Sequence, residues 1–182
     1  SSDVCSSDLA QFVIPDLKRT VRRGGAFIGV GSEQNFTYIA AMEPRLAFIV
    51  DIRRDNAIEH LMYKALFETS ADRAEFVSRL FARRRPGGLS PNATTEALFS
   101  AFRDVDPDPV FYEENLDAVI DRLVNVHHFP LSDNDRTDVG RMMNAFLTAG
   151  PFSLKGFGDA TNPPYAQLLS AADLDGVNQS FL

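Results

Sequence analysis

The chain has 182 residues, of which 45% are hydrophobic and 24% charged, a composition typical of a globular domain and not of a disordered or fibrous chain. Its 25 acidic and 18 basic side chains give a net charge of -7, which argues against general nucleic-acid binding because such binding depends on neutralising phosphates. No apolar run approaches the ~20 residues that a membrane-spanning helix needs. We therefore expect a cytoplasmic protein without a membrane span.

The two ends of the chain are not expected to be native. The run Ser2–Leu9 resembles the translation of a common sequencing adaptor, so residues 1–9 are predicted to be a non-native tail. Excluding this tail removes Cys5, the only cysteine, and with it any disulfide or thiol nucleophile. Residues 10–182 are predicted to form a single truncated domain, in which 151–182 are the loop-rich start of a missing C-terminal half.

A short helix and a strand are predicted first in chain order. An amphipathic stretch from Phe12 to Val21 indicates a helix that Pro15 interrupts. Gly24 and Gly25 then break the chain, and the apolar run 26–30 has the composition of a strand that is buried on both faces.

A second helix should follow Gly31, which ends the strand. Ser32 is a suitable N-cap, and the helix should stop near Glu43 because Pro44 disfavours the helical conformation in the residue before it. Its apolar face is predicted to contain Phe36, Ile39 and Ala40.

A second apolar run, 46–50, is predicted to be the next strand, and Asp51 follows it directly. Strand, glycine turn, helix, strand and acid occur in the order of a βαβ unit, here residues 26–56. Residues 57–150 then repeat apolar positions every three and four residues and are predicted to be helical.

The glycine turn and the acid form the candidate binding site. Glycines allow a ligand to lie against the backbone, and a carboxylate 20 residues beyond Gly31 can accept hydrogen bonds from both hydroxyls of an adenosine ribose. Gln34 stands where a dinucleotide fingerprint has its third glycine, which favours a nucleoside without phosphates, such as S-adenosylmethionine. The predicted cofactor-binding residues are Gly29, Val30, Gly31, Ser32, Gln34, Asn35, Asp51 and Ile52.

Two other functions fit the same pattern. One is a nicotinamide-dinucleotide-dependent oxidoreductase that uses the same turn and acid, and the other is a methyltransferase-like protein that binds a nucleoside or a protein partner without catalysis. Asp51 also has a purely structural interpretation, as the N-cap of the helix that follows it.

Residues 24–40 and 48–56 resemble a family of uncharacterised bacterial methyltransferase-like proteins known only by a locus-tag name. The similarity extends from about Pro15 to the end of the chain and includes 164–169. It implies a Rossmann-like, class I methyltransferase-like α/β fold with a parallel sheet, incomplete here, and a large helical insertion after the second strand. It implies no methyl acceptor and no catalytic residue.

Two further motifs have simpler explanations. The run Asn162–Tyr165 matches the tetrapeptide of amino-group methyltransferases, but it follows a polar, glycine-rich loop where the true motif follows a strand, so we predict a turn. His127 and His128 are adjacent, their side chains should point apart, and no third ligand is recognisable, so no metal site is predicted.

Overall fold

Residues 13–31 and 34–152 are the part of the chain that the computed structural model describes, with the backbone alone at residue 34. They are mixed α/β in class, as the sequence predicts, with a two-stranded parallel sheet and mostly helical structure elsewhere. They divide into two compact units, the first ending at Ala57 and the second beginning at Ile58.

A βαβ arrangement makes up most of the first unit. Its elements are α1 (Ile14–Thr20), β1 (Ala26–Val30), α2 (Gln34–Met42) and β2 (Leu46–Val50). Both strands have the bounds that the apolar runs predict. They pair in parallel, from Ala26 opposite Leu46 to Val30 opposite Val50, and α2 is the crossover that a parallel pair requires.

The first helix differs from its prediction at Pro15. The helix begins at Ile14, so the proline lies in its first turn, where the missing N–H is not needed for an intrahelical hydrogen bond. Pro15 therefore starts the helix and does not interrupt it.

The buried face of α2 also differs from the predicted one. Asn35 and Ala41 are buried, Phe36 and Ile39 are partly exposed, and Ala40 is exposed. The amide of Asn35 is hydrogen-bonded to the preceding loop, which accounts for a polar side chain lying inward at the start of the helix.

One face of the sheet is exposed, so the prediction that the first strand is buried on both faces is wrong for the described chain. Alternate residues of a strand point to the same face. The large side chains of this face, between 53% and 73% exposed, are Ile28, Val30, Leu46, Phe48 and Val50. Parallel sheets are normally covered on both faces, and the described residues leave this apolar face open.

The second unit is helical, as predicted for residues 57–150. Its elements are most of α3 (Arg54–Thr69), then α4 (Arg73–Leu80), α5 (Thr95–Phe102), α6 (Pro109–Asp121), a π-helical turn (Arg122–Val126) and α7 (Asp133–Ala149). None of the described helices is both long and apolar enough to cross a membrane.

Local capping explains where several of these helices begin. Asp72, Thr94 and Asp108 each accept a hydrogen bond from a backbone N–H in the first turn of the following helix. Ser132 and Asp135 form a reciprocal capping box at the start of α7. The short polar side chains therefore define the helix starts.

Aromatic and branched side chains fill the core of the second unit. The rings of Phe67 and Phe76 stack with centroids 4.7 Å apart, and Phe146 packs edge-on against Tyr63 and Phe81. The fully buried side chains of this unit include Met62, Leu66, Val77, Leu80, Phe102, Val119, Leu123, Val139 and Met143. The apolar stripes of the three longest helices all contribute to this core.

Glu68, near the end of α3, contacts three basic side chains. Its carboxylate contacts Lys64, the Nε of Arg122 at 3.2 Å and the Nε2 of His127 at 2.6 Å. The hydrogen bond from Lys64, and then that from His127, hold the pKa of the Glu68 carboxyl below its ordinary value. These contacts tie the end of α3 to the end of the π-helical turn.

The buried face of α6 can be tested with two valines of the same helix. Val119 is buried and Val110 is 65% exposed. We expect Val119→Ala to lower the free energy of unfolding by about 1.5–3 kcal/mol, because the side chain's apolar area is lost from the core. The matched control, Val110→Ala, should change it by less than about 0.5 kcal/mol. Urea denaturation followed by circular dichroism measures both, and equal losses would contradict the assignment.

The Glu68 cluster predicts a pH-dependent contribution to stability. Because the pKa of Glu68 is lowered from its ordinary 4.5, its stabilising contribution is present above that value and is lost as pH falls through the folded pKa. Glu68→Gln should therefore be less stable than the wild type at pH 7 and equally stable at low pH. Glu113→Gln, at an exposed position of α6, is the control and should match the wild type across the range.

Candidate functional site

The parallel pairing brings the two predicted parts of the site to one edge of the sheet. Val30 and Val50 are the last paired residues of their strands, so Gly31 and Asp51 leave the sheet side by side at its carboxyl end. Ligands of open α/β sheets bind outside this edge. The strand register therefore brings the start of the glycine turn and the acid to the same edge of the sheet.

Gly31 needs to be a glycine because of its backbone conformation. Its φ is 93°, in the region that residues with a Cβ rarely adopt. A methyl group built on Gly31 would meet no atom of the described residues within 4 Å. Among the described residues, none therefore fills the space toward which a side chain at Gly31 would point.

Gly29 needs to be a glycine for a different reason from the one that the sequence predicted. A methyl group on this buried residue would overlap the Oδ1 of Asn35 and lie 2.7 and 2.8 Å from two ring carbons of Phe27. The glycine therefore allows internal packing, and neighbouring side chains occupy the space that a ligand was predicted to use.

Asn35 is turned into the protein. Its side chain is 2% exposed, and its Nδ2 donates hydrogen bonds to the carbonyl oxygens of Gly31 at 3.2 Å and Val30 at 3.4 Å. The amide thus links the first turn of α2 to the end of β1. This arrangement gives Asn35 a role in shaping the loop, where the sequence suggested direct contact with a ligand.

The carboxylate of Asp51 is held by two donors from the segment that follows β2. Its Oδ1 accepts a hydrogen bond from the backbone N–H of Arg53 at 2.8 Å, and its Oδ2 accepts one from the Nδ2 of Asn56 at 2.6 Å. The first and then the second of these bonds hold the pKa of the Asp51 carboxyl below its ordinary value. Asp51 is therefore an ionised, oriented acceptor at neutral pH.

The same bonds bear on the interpretation of Asp51 as the N-cap of the helix that follows it. Arg53 directly precedes α3, which begins at Arg54, so Asp51 orders the turn that leads into the helix. The Asp51 carboxylate accepts its hydrogen bond from the backbone N–H two residues ahead, as in an Asx turn.

The remaining predicted residues vary in accessibility. Val30 is 69% exposed and Ile52 is fully exposed, so both have surface available to a ligand. Ser32 and the side chain of Gln34 lie outside the described residues. The Asn162–Tyr165 motif also lies outside them.

Sequence reasoning missed Asn56 and Arg53 as members of the site. Asn56 is buried, and its Oδ1 accepts a hydrogen bond from the Nη2 of Arg53 at 3.0 Å. The sequence carried no clear signal for Asn56, because the burial of Tyr63, seven residues later on the same face of α3, emerges only from the packing. A polar residue on that face requires a hydrogen-bonding partner, and Asp51 provides it.

The two adjacent histidines have separate environments. His127 is paired with Glu68, whereas His128 is exposed and has a φ of 57°. Within 13–31 and 34–152, no group of three or more potential metal ligands is close enough to hold an ion.

The packing at Gly29 can be tested by adding a methyl group. Gly29→Ala should destabilise the βαβ unit by about 1–3 kcal/mol, because Asn35 and Phe27 would have to move. Gly25→Ala is the matched control, since its methyl group would lie 3.6 Å from the carbonyl oxygen of Arg22, an ordinary contact. Thermal and urea unfolding measure both variants. A Gly29→Ala protein as stable as the control would contradict the close packing.

Comparison with known proteins identifies one family. The family model described as "Domain of unknown function (DUF7790)" matches residues 8–126, about two thirds of the chain, including both strands and the Asp51 segment. Neither the curated proteins nor the solved structures contain a match to the chain.

Proposed function

The chain belongs to this DUF7790 family, and we propose that its βαβ unit is the S-adenosylmethionine-binding part of a Rossmann-like, class I methyltransferase-like fold. The methyl acceptor is left open. The observation that carries the proposal is the in-register parallel pairing that brings Gly31 and Asp51 to one sheet edge.

The residues at this edge fit a nucleoside. The Asp51 carboxylate is ionised and oriented, as an acceptor for two ribose hydroxyls must be. None of the described residues fills the space beside the Cα of Gly31, which suits contact with the amino-acid portion of the ligand. Ser32 and Gln34, which follow Gly31 in the sequence, carry the polar groups that would bind its amino and carboxylate groups.

Bound S-adenosylmethionine would supply a methyl group activated by a sulfonium. The chain's own contribution would be to fix the nucleoside through Asp51 and the Gly31 loop, so that the methyl carbon faces its acceptor. Positioning and exclusion of water account for most of the acceleration in such transfers. We assign no general base.

The exposed sheet face supports the Rossmann-like part of the proposal. A parallel sheet of two five-residue strands is too small to be stable by itself and normally has neighbours on its faces and edges. The apolar side chains at Ile28, Phe48 and Val50 are suited to contact with further structure. Helices packed against this face, as in parallel sheets generally, would cover it.

Binding of the ligand can be measured by calorimetric titration of the purified protein. We expect S-adenosylmethionine and S-adenosylhomocysteine to bind and NAD not to bind. Binding of NAD alone would instead indicate a dinucleotide-dependent oxidoreductase. The absence of binding by all three would overturn the proposal and favour a methyltransferase-like protein without this cofactor.

Asp51 should be essential for the affinity for S-adenosylhomocysteine. Asp51→Ala removes the acceptor of the ribose hydroxyls, and we expect the affinity for S-adenosylhomocysteine to fall about tenfold or more. Asp55→Ala is the control, because Asp55 is an exposed acid of the first turn of α3 and its loss should leave affinity unchanged. Equal affinities of the two variants would exclude Asp51 from the site.

A further inference from the structure

Asn56 is the residue through which the first turn of α3 reaches the candidate site. It is 6% exposed, and the oxygen and the nitrogen of its side-chain amide have different partners. The Oδ1 accepts from the Arg53 guanidinium at 3.0 Å, and the Nδ2 donates to the Oδ2 of Asp51 at 2.6 Å. The opposite amide orientation would place an oxygen against the carboxylate and an NH₂ group against the guanidinium, so the neighbours determine which way the amide points.

The Asp51 carboxylate therefore receives one protein donor on each oxygen. The Arg53 backbone N–H binds Oδ1, and Asn56 binds Oδ2. A carboxylate offers about four acceptor sites, so capacity for outside donors remains beside these two bonds and the smaller contribution of the Ile52 backbone N–H. The two oxygens of one oriented carboxylate match the two adjacent hydroxyls of a ribose.

We propose that Asn56 is a positioning residue that orients the Asp51 carboxylate toward the vicinal diol of a nucleoside ribose. This inference rests on the proposed function. Asn56 acts through Asp51 and does not itself contact the ligand. By restricting the carboxylate to one orientation before binding, it removes an ordering cost from the binding step.

The electrostatics of the cluster are consistent with this role. The charged group that acts on Asp51 is the guanidinium of Arg53, which is also the partner of Asn56. The Asn56 amide is the second largest contributor, after the Arg53 N–H, to the lowered pKa of Asp51. Removing the amide donor should therefore allow Asp51 to take up its proton at a higher pH.

The test uses an isosteric variant and a truncated one. Asn56→Asp keeps the side chain's size and its contact with Arg53 but replaces the donor to Asp51 with an acceptor. Asn56→Ala removes both contacts. Asn144→Ala, at an exposed position of α7, is the control.

Two measurements on the full chain separate positioning from mere packing. Carbon NMR of the Asp51 carboxyl should show its titration midpoint rising in Asn56→Ala and rising further in Asn56→Asp. Titration with S-adenosylhomocysteine at pH 7 should show affinity falling about five- to tenfold in Asn56→Ala, with a larger fall in Asn56→Asp. In the Asp51→Ala background, Asn56→Ala should cause no further loss, because its effect acts through Asp51.

Different results would overturn the positioning role of Asn56 and the proposed function. If Asn56→Asp binds S-adenosylhomocysteine as tightly as the wild type, the positioning role is overturned and the proposed function stands. An unmoved Asp51 midpoint in both Asn56 variants would also overturn it. The third outcome combines two results: the Asp51 midpoint moves as expected in the Asn56 variants, but the wild type binds neither S-adenosylmethionine nor S-adenosylhomocysteine. This outcome would overturn the proposed function, while the orientation of Asp51 by Asn56 stands.

Discussion

The pairing of two parallel strands in register is the constraint on which the candidate site depends. Because Val30 is opposite Val50, the next residue of each strand, Gly31 and Asp51, emerges at the same edge of the sheet. A shift of one residue in this register would move the side chains of one strand to its other face and separate the turn from the acid. The placement of the candidate site thus follows from the register of the two strands.

The two glycines of the turn have different physical roles. Gly31 adopts a positive φ, which favours glycine, whereas Gly29 makes room for Asn35 and Phe27. The hydrogen bonds from Asn35 to the loop carbonyls show that the protein itself stabilises the turn. A glycine-rich motif can therefore combine one position suited to ligand approach with another that the chain's own packing requires.

The two units bury their apolar side chains to different extents. The helices of the second unit enclose aromatic and branched side chains, and polar caps and the Glu68 cluster fix their ends. In the first unit, the alternate residues of β1 and β2 leave one apolar face exposed. A parallel sheet with such a face has the composition of an interior element, which supports our proposal that it is part of a larger fold.

The helices and strands could be predicted from the sequence, because strand and helix periodicities and short polar caps act over a few residues. It predicted both strand limits and the helical stretch after Asp51. Three features follow instead from the packing of these elements: Asn35 closes on Gly29, Asn56 orients Asp51, and one sheet face is exposed. These outcomes depend on which atoms meet once the elements pack, and local patterns do not encode those distances. The pairing of Glu68 with His127, 59 residues apart in the chain, is decided in the same way.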